Sequence, residues 1–79
     1  MEKSEIYERL TGVFRDVFDD DTIVVRPELT AEDVDEWDSL SHIRLVLTVE
    51  KVFNITLSAS EIGNLTNVGE LVQAIQAKL

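Results

Sequence analysis

Between Ser39 and Phe53 the chain sets apolar residues around most of a helical circumference, and this run limits the possible folds more than any other. At the helical period Leu45, Val46, Val49, Val52 and Phe53 share one broad face. Leu40, Ile43 and Leu47 extend it on a second shoulder, and only Ser41, Arg44, Thr48 and Lys51 fill the narrow strip left over. A helix of this kind needs cover on more than one side. Either other helices cover both shoulders, or Leu40, Ile43 and Leu47 offer apolar surface to a partner or an apolar cargo. Periodicity alone favours the covered arrangement.

The rest of the chain supplies helices to provide that cover. From Lys3 to Phe18, apolar residues recur at Ile6, Leu10, Val13, Phe14 and Val17, with Tyr7 and Phe18 on the shoulders. Ser4 is the expected cap, and Glu5, Glu8, Arg9, Arg15 and Asp16 form a solvated outer face. Asn54 to Ser58 leaves the central helix with Ile55 and Leu57 turned inward, and Ser60 to Leu65 has room for one or two turns, weakened by Gly63. Asn67 followed three residues later by Glu70 matches a capping box, opening a last helix with Val68, Leu71, Val72, Ile75 and Leu79 on one face. The fold class is therefore all-α, with three sizeable helices and one short one.

Residues 19–38 make a connection long enough to suggest a function of its own. Ile23-Val24-Val25 has the composition of a strand, but no partner strand exists elsewhere. Ile23, Val25 and Leu29 are expected instead to plug the loop onto a helical core, and Pro27 ends any helix there. Asp19-Asp20-Asp21 lacks the alternating ligands, turn glycine and distal glutamate of an EF-hand loop, so it reads as a solvated acidic turn.

Length and charge exclude several functions. Seventy-nine residues make one domain, 1–79, with no room for a second. There is no cysteine, hence no disulfide and no thiolate chemistry of the chain's own. No apolar run approaches a membrane span, and the acidic start is unlike a signal peptide, so a soluble, cytoplasmic protein with no membrane insertion is expected. Thirteen of the sixteen acidic and four of the seven basic residues precede Ser39, so the whole net charge of −9 lies in the first half. That field repels nucleic acid and steers basic protein surfaces toward the acidic half.

At the junction of acidic loop and apolar helix stands Glu36-Trp37-Asp38-Ser39-Leu40-Ser41-His42-Ile43. Asp38 is a favoured N-cap type, which makes Ser39 the first helical residue and sets its hydroxyl at the helix's positive end. An anion there, such as a phosphodiester on the Ser39 oxygen, is well tolerated. On the dipeptide alone, Asp-Ser does no more than open a helix. Asp38, Ser39 and His42 contain the residue types of a hydrolytic triad, but Asp38 is engaged as a cap and a small bundle has little preorganised cavity for an oxyanion hole. His42 is the sole histidine, so a metal centre is not expected, and neither is an enzyme. The ring is expected on the surface or on a helix shoulder, touching whatever is attached at Ser39.

Taken together, Asp38-Ser39-Leu40 at the start of an apolar helix, Phe53-Asn54-Ile55, and Ile62-Gly63-Asn64-Leu65-Thr66-Asn67-Val68-Gly69-Glu70-Leu71 resemble the acyl carrier protein family over nearly the whole chain. The resemblance implies a four-helix bundle, monomeric, in which the helix after the serine is the recognition helix. It implies that Ser39 carries 4′-phosphopantetheine, transferred from coenzyme A by a separate magnesium-dependent phosphopantetheinyl transferase, with Asp38 as part of the attachment motif. The arm would supply the sulfur the chain lacks, holding acyl groups as thioesters and presenting them to acyl-loading and acyl-processing enzymes. Leu40, Ile43, Leu47 and Glu50 would contact those partners. The core faces would part to shelter a fatty chain.

The sequence also departs from the family's commonest pattern. Carriers of primary fatty-acid synthesis usually have acidic residues along the recognition helix, where this chain has Arg44, Lys51 and Val52 and keeps only Glu50. The stretch Trp37 to Ile43 looks more like free-standing carriers of a specialised pathway for polyketides, modified lipids or unusual acyl units. Peptidyl carriers more often have glycines before Asp-Ser, and none stands here. The competing reading is an unmodified acidic helical module that binds a protein partner through the same loop and helix.

Overall fold

The computed structural model describes residues 1–79. Four helices, α1 (Lys3–Phe18), α2 (Ser39–Phe53), α3 (Ala59–Gly63) and α4 (Val68–Lys78), follow one another with no strand, and a single 3-10 turn at Ala31–Asp33 interrupts the first loop. α1 packs against both α2 and α4. Eighteen residues are buried and all are hydrophobic, so the interior holds no charged or polar side chain that would need a partner. Each long helix contributes one face to this core: Ile6, Leu10, Val13, Phe14 and Phe18 from α1, Leu45, Val46, Val49 and Phe53 from α2, and Val68, Leu71, Val72 and Ile75 from α4.

The long loop is held by the means expected of it, and by one more. Ile23, Val25 and Leu29 are buried while Val24 between them is exposed, so the β-branched run is an extended segment that sends alternate side chains inward. Val34 is a fourth plug that the sequence reading did not single out. Backbone bonds complete the attachment. The N–H groups of Val68 and Gly69, free donors at the start of α4, donate to the carbonyls of Leu29 and Pro27, both at 2.9 Å. Gly69 eases that approach, because a Cβ there would lie a tight 3.2 Å from the Pro27 oxygen and 3.2 Å from Asn67 Oδ1. Arg15 Nε of α1 also donates to the Ile23 carbonyl at 2.9 Å.

At the helix ends, a side chain caps α4 while the backbone alone starts α1. Asn67 Oδ1 accepts the Glu70 N–H at 2.9 Å, as the capping box requires, but the Glu70 carboxylate reaches back to Thr66 instead of Asn67. Ser4 is not a cap. α1 starts earlier, with the Glu2 carbonyl taking the N–H groups of both Glu5 and Ile6 at 3.1 Å, which draws Ser4 into the first turn. Both α1 and α2 end on a residue in the left-handed region, Asp19 (φ 51°) and Asn54 (φ 55°), types that adopt this conformation more readily than most.

Three further corrections concern exposed apolar groups. Leu40, Ile43 and Leu47 lie open to solvent at 72%, 56% and 57%, so the covered arrangement favoured by periodicity does not hold. α3, five residues long, meets α2 through His42, roughly a third of a turn around the helix from this stripe, and leaves the stripe open. Val52 is also exposed, at the edge of the α1–α2 contact, where a shallow depression lined by Arg9, Val13, Asp16 and Thr48 leaves it uncovered. Leu79 lies beyond the last turn of α4 and is exposed, where a buried position on its apolar face was expected.

Candidate functional site

Asp38 takes up an extended backbone (φ −110°, ψ −172°), and the chain turns into α2 at Ser39. Its carboxylate accepts the Ser41 N–H at 2.9 Å and its carbonyl accepts the His42 N–H at 2.9 Å, closing the first turn. The bond from Ser41's N–H, reinforced by the Ser41 side chain, holds the Asp38 carboxyl below its ordinary range. Ser39 is thereby fixed as the first residue of a fifteen-residue helix, exposed, with its hydroxyl free of protein partners. A covalently attached anion is favoured at that position by the helix dipole.

Trp37 sets the direction from which the chain enters this turn. Half-buried, it meets Phe14 edge-on with ring centres 5.3 Å apart and tilts against Phe18 at 6.0 Å, so the aromatic end of α1 anchors the residue two before the serine. Its Nε1–H donates to His42 Nδ1 at 3.1 Å, and the two rings stack at 6.1 Å. With Nδ1 accepting, His42 carries its proton on Nε2, which lies 3.3 Å from the Ile62 carbonyl in α3 and donates to it. Both ring nitrogens are thus engaged away from Ser39. His42 is a tie between α2 and α3, the shoulder position expected of it, and not a base for the serine.

α3 buries no residue fully, though Ile62 packs partly buried against the core, so its polar ties matter. The Ser58–Glu61 capping box starts the helix, and Glu61 pairs with Lys78 of α4 at 3.0 Å, an attraction that, ahead of the Ser58 hydrogen bonds, keeps the Glu61 carboxyl below its usual range. Behind the tie, Ala31, Trp37, His42, Leu45, Val46, Leu65 and Leu71 line most of a small apolar cavity of about 60 Å³. On the solvent side, a wide depression beside Ser39 shares Ala31, Trp37, His42 and Leu65 with it.

The structure gathers Leu40, Ile43 and Leu47 into one exposed stripe running from Ser39 along α2. Glu50 stands at the edge of that stripe, but its Oε2 accepts the Leu57 N–H at 2.8 Å, fastening the loop before α3. Sequence reasoning missed the Trp37–His42–Ile62 connection, since nothing in residue spacing brings a carbonyl twenty positions away to an imidazole. It also missed the Thr30–Asp33 and Ser58–Glu61 capping boxes, although both carry the spacing that marks one. No three acidic or histidine side chains are grouped so as to hold a metal ion. Asp20 instead accepts hydrogen bonds from Thr22, which lower its pKa. No helix is long and apolar enough to cross a membrane.

Comparison with known proteins gives consistent results. Residues 8–75 match the family described as phosphopantetheine attachment site. The chain is 32% identical over 75 residues to an acyl carrier protein of Acidothermus cellulolyticus, covering 95% of this chain and 89% of that protein. Among solved structures, the solution structure of holo acyl carrier protein from Geobacter metallireducens superimposes with a TM-score of 0.86 at 43% identity, over 91% of this chain and 83% of that one.

Proposed function

Since the chain belongs to the phosphopantetheine-binding acyl carrier protein family, and is therefore a carrier and not an enzyme, we propose that Ser39 Oγ is the atom to which its 4′-phosphopantetheine is joined. The observation that carries this is the Asp38-capped start of α2. It offers an exposed primary hydroxyl at the positive end of a helix, with the neighbouring histidine tied elsewhere. Attachment forms a bond between Ser39 Oγ and the phosphorus of the incoming arm and breaks the pyrophosphate linkage of coenzyme A, while the serine proton leaves to a base on the transferase. When bound, the arm supplies a thiol that holds acyl groups as thioesters.

This chain's own residues then act by position. Asp38 fixes the turn and forms part of the surface the transferase reads. Trp37 sets the angle of the turn against α1, and Leu40, Ile43 and Leu47 with Glu50 at their edge form the face on which acyl-loading and acyl-processing enzymes settle. The cavity of about 60 Å³ is small beside an acyl chain, so sheltering a longer chain requires the core faces around it to part.

The pathway we infer is a specialised one, assembling polyketides, modified lipids or unusual acyl units. Arg44 and Lys51 on the recognition helix support that reading. The carrier is read as a monomeric single domain over residues 1–79, working in the cytoplasm. Fragment mass spectrometry after modification distinguishes Ser39 from the nearby hydroxyl of Ser41. The arm is expected on the peptide at Ser39, lost in Ser39→Ala and retained in Ser41→Ala; modification at Ser41 would overturn the assignment.

A further inference from the structure

The stripe of Leu40, Ile43 and Leu47 has cations along one side. Arg44 stands four residues after Leu40 and three before Leu47, and Lys51 four after Leu47, so all five side chains share one face of α2. Arg44 and Lys51 are both exposed, and neither joins any of the three ion pairs in the molecule. Lys3 and Arg15 join none either, so what marks Arg44 and Lys51 is their place beside the exposed apolar stripe. Glu50, the only acidic residue on α2, is engaged by the Leu57 N–H. At the far end Leu47, Glu50, Lys51, Asn54, Ile55 and Thr56 line an open depression of about 500 Å³, large enough to receive a side chain from a docked surface.

We propose that this face of α2 docks partner enzymes whose complementary surface carries an apolar cluster flanked by carboxylates, two of them set about 10 Å apart to meet Arg44 and Lys51 across seven helical residues. The proposal rests on the carrier reading and names the chemistry of the partner at that site. Charge complementarity selects this occupant over a basic one. A uniformly basic surface would be drawn to the acidic loop before Ser39 and repelled by Arg44 and Lys51, so it would not settle squarely on the stripe.

Two synthetic helical peptides with an identical leucine–phenylalanine face, one flanked by glutamates and the other by lysines at matching positions, provide the test. Each is titrated into the isotope-labelled full-length protein, with and without the arm installed, and backbone and methyl resonances are followed. The glutamate peptide is expected to shift Leu40, Ile43, Leu47 and Lys51 and to bind this face of α2 about fivefold more tightly than the lysine peptide at low salt, from two exposed charge pairs, while the lysine peptide's shifts fall in the acidic loop before Ser39. The difference should shrink toward parity as salt approaches 1 M. The double variant Arg44→Glu/Lys51→Glu, at exposed positions that leave the core untouched, should reverse the preference. The proposal is overturned if the lysine peptide binds α2 as tightly, if charge reversal leaves the order unchanged, or if neither peptide at millimolar concentration moves α2 resonances. Ser39→Ala should give the same ordering as the unmodified protein, so this result is read independently of whether Ser39 accepts an arm.

Discussion

The bond between Trp37 and His42 is the polar link through which the aromatic end of α1, the start of α2 and the backbone of α3 are joined, and a double-mutant cycle measures it directly. Trp37→Phe keeps a ring against Phe14 and Phe18 but removes the Nε1–H that donates to His42 Nδ1 at 3.1 Å. His42→Ala removes that bond and the one to the Ile62 carbonyl. A half-buried neutral hydrogen bond contributes about 1 kcal/mol net, so Trp37→Phe should cost about 1 kcal/mol and His42→Ala about 2 kcal/mol. Because the shared bond is lost in either single variant, the double variant should be less destabilised than the sum by about 1 kcal/mol. The assay is urea unfolding followed by far-UV circular dichroism, since Trp37, the chain's only tryptophan, is itself changed. A domain of this size shifts its Tm by about 4–8 °C for each kcal/mol, so thermal melts resolve the same differences. Additivity within about 0.3 kcal/mol would refute the coupling. His42→Ala should also accelerate amide exchange in α3 relative to α4, and unchanged exchange there would contradict its role as the tie.

Two further expectations follow from local geometry. Gly12 lies in the interior of α1 with nothing within 4 Å of a prospective Cβ, so Gly12→Ala should raise stability by about 0.5–1 kcal/mol, whereas Gly69→Ala meets the Pro27 carbonyl and Asn67 Oδ1 and should lower it; urea midpoints decide both. The carboxyls of Asp38, Asp20 and Glu61 are held below their ordinary values of 3.8, 3.8 and 4.5, so their contribution to stability is fully present above those values and is lost as pH falls through the depressed folded values. Acid unfolding followed by circular dichroism should therefore be less steep in Asp38→Asn, and an unchanged acid profile would contradict the capping argument.

Much of this arrangement is legible in the sequence. The helical period located α1, α2 and α4, and the absence of a partner strand correctly turned Ile23, Val25 and Leu29 into plugs. Asp38 and Asn67 declared themselves as caps by residue type and spacing. What escaped was tertiary in origin. Periodicity states that Leu40, Ile43 and Leu47 share a shoulder, but whether a neighbour covers it depends on where the other helices pack, and α3 meets α2 through His42 on another side. The ends of α1 and α2 at Asp19 and Asn54 use a left-handed residue without glycine, the signal usually sought. Likewise His42 could be placed near Ser39 by helical spacing, whereas its engagement by Trp37 and Ile62 is set only when three elements meet.

The most direct test of the account is the intact mass of the full-length protein before and after incubation with coenzyme A, magnesium and a broad-specificity phosphopantetheinyl transferase, with folded Ser39→Ala alongside. The account predicts a gain of one phosphopantetheine in the unaltered chain and none in the variant. A folded unaltered chain that gains no mass with several transferases, or a Ser39→Ala variant that gains it equally, would contradict the claim that Ser39 carries the arm.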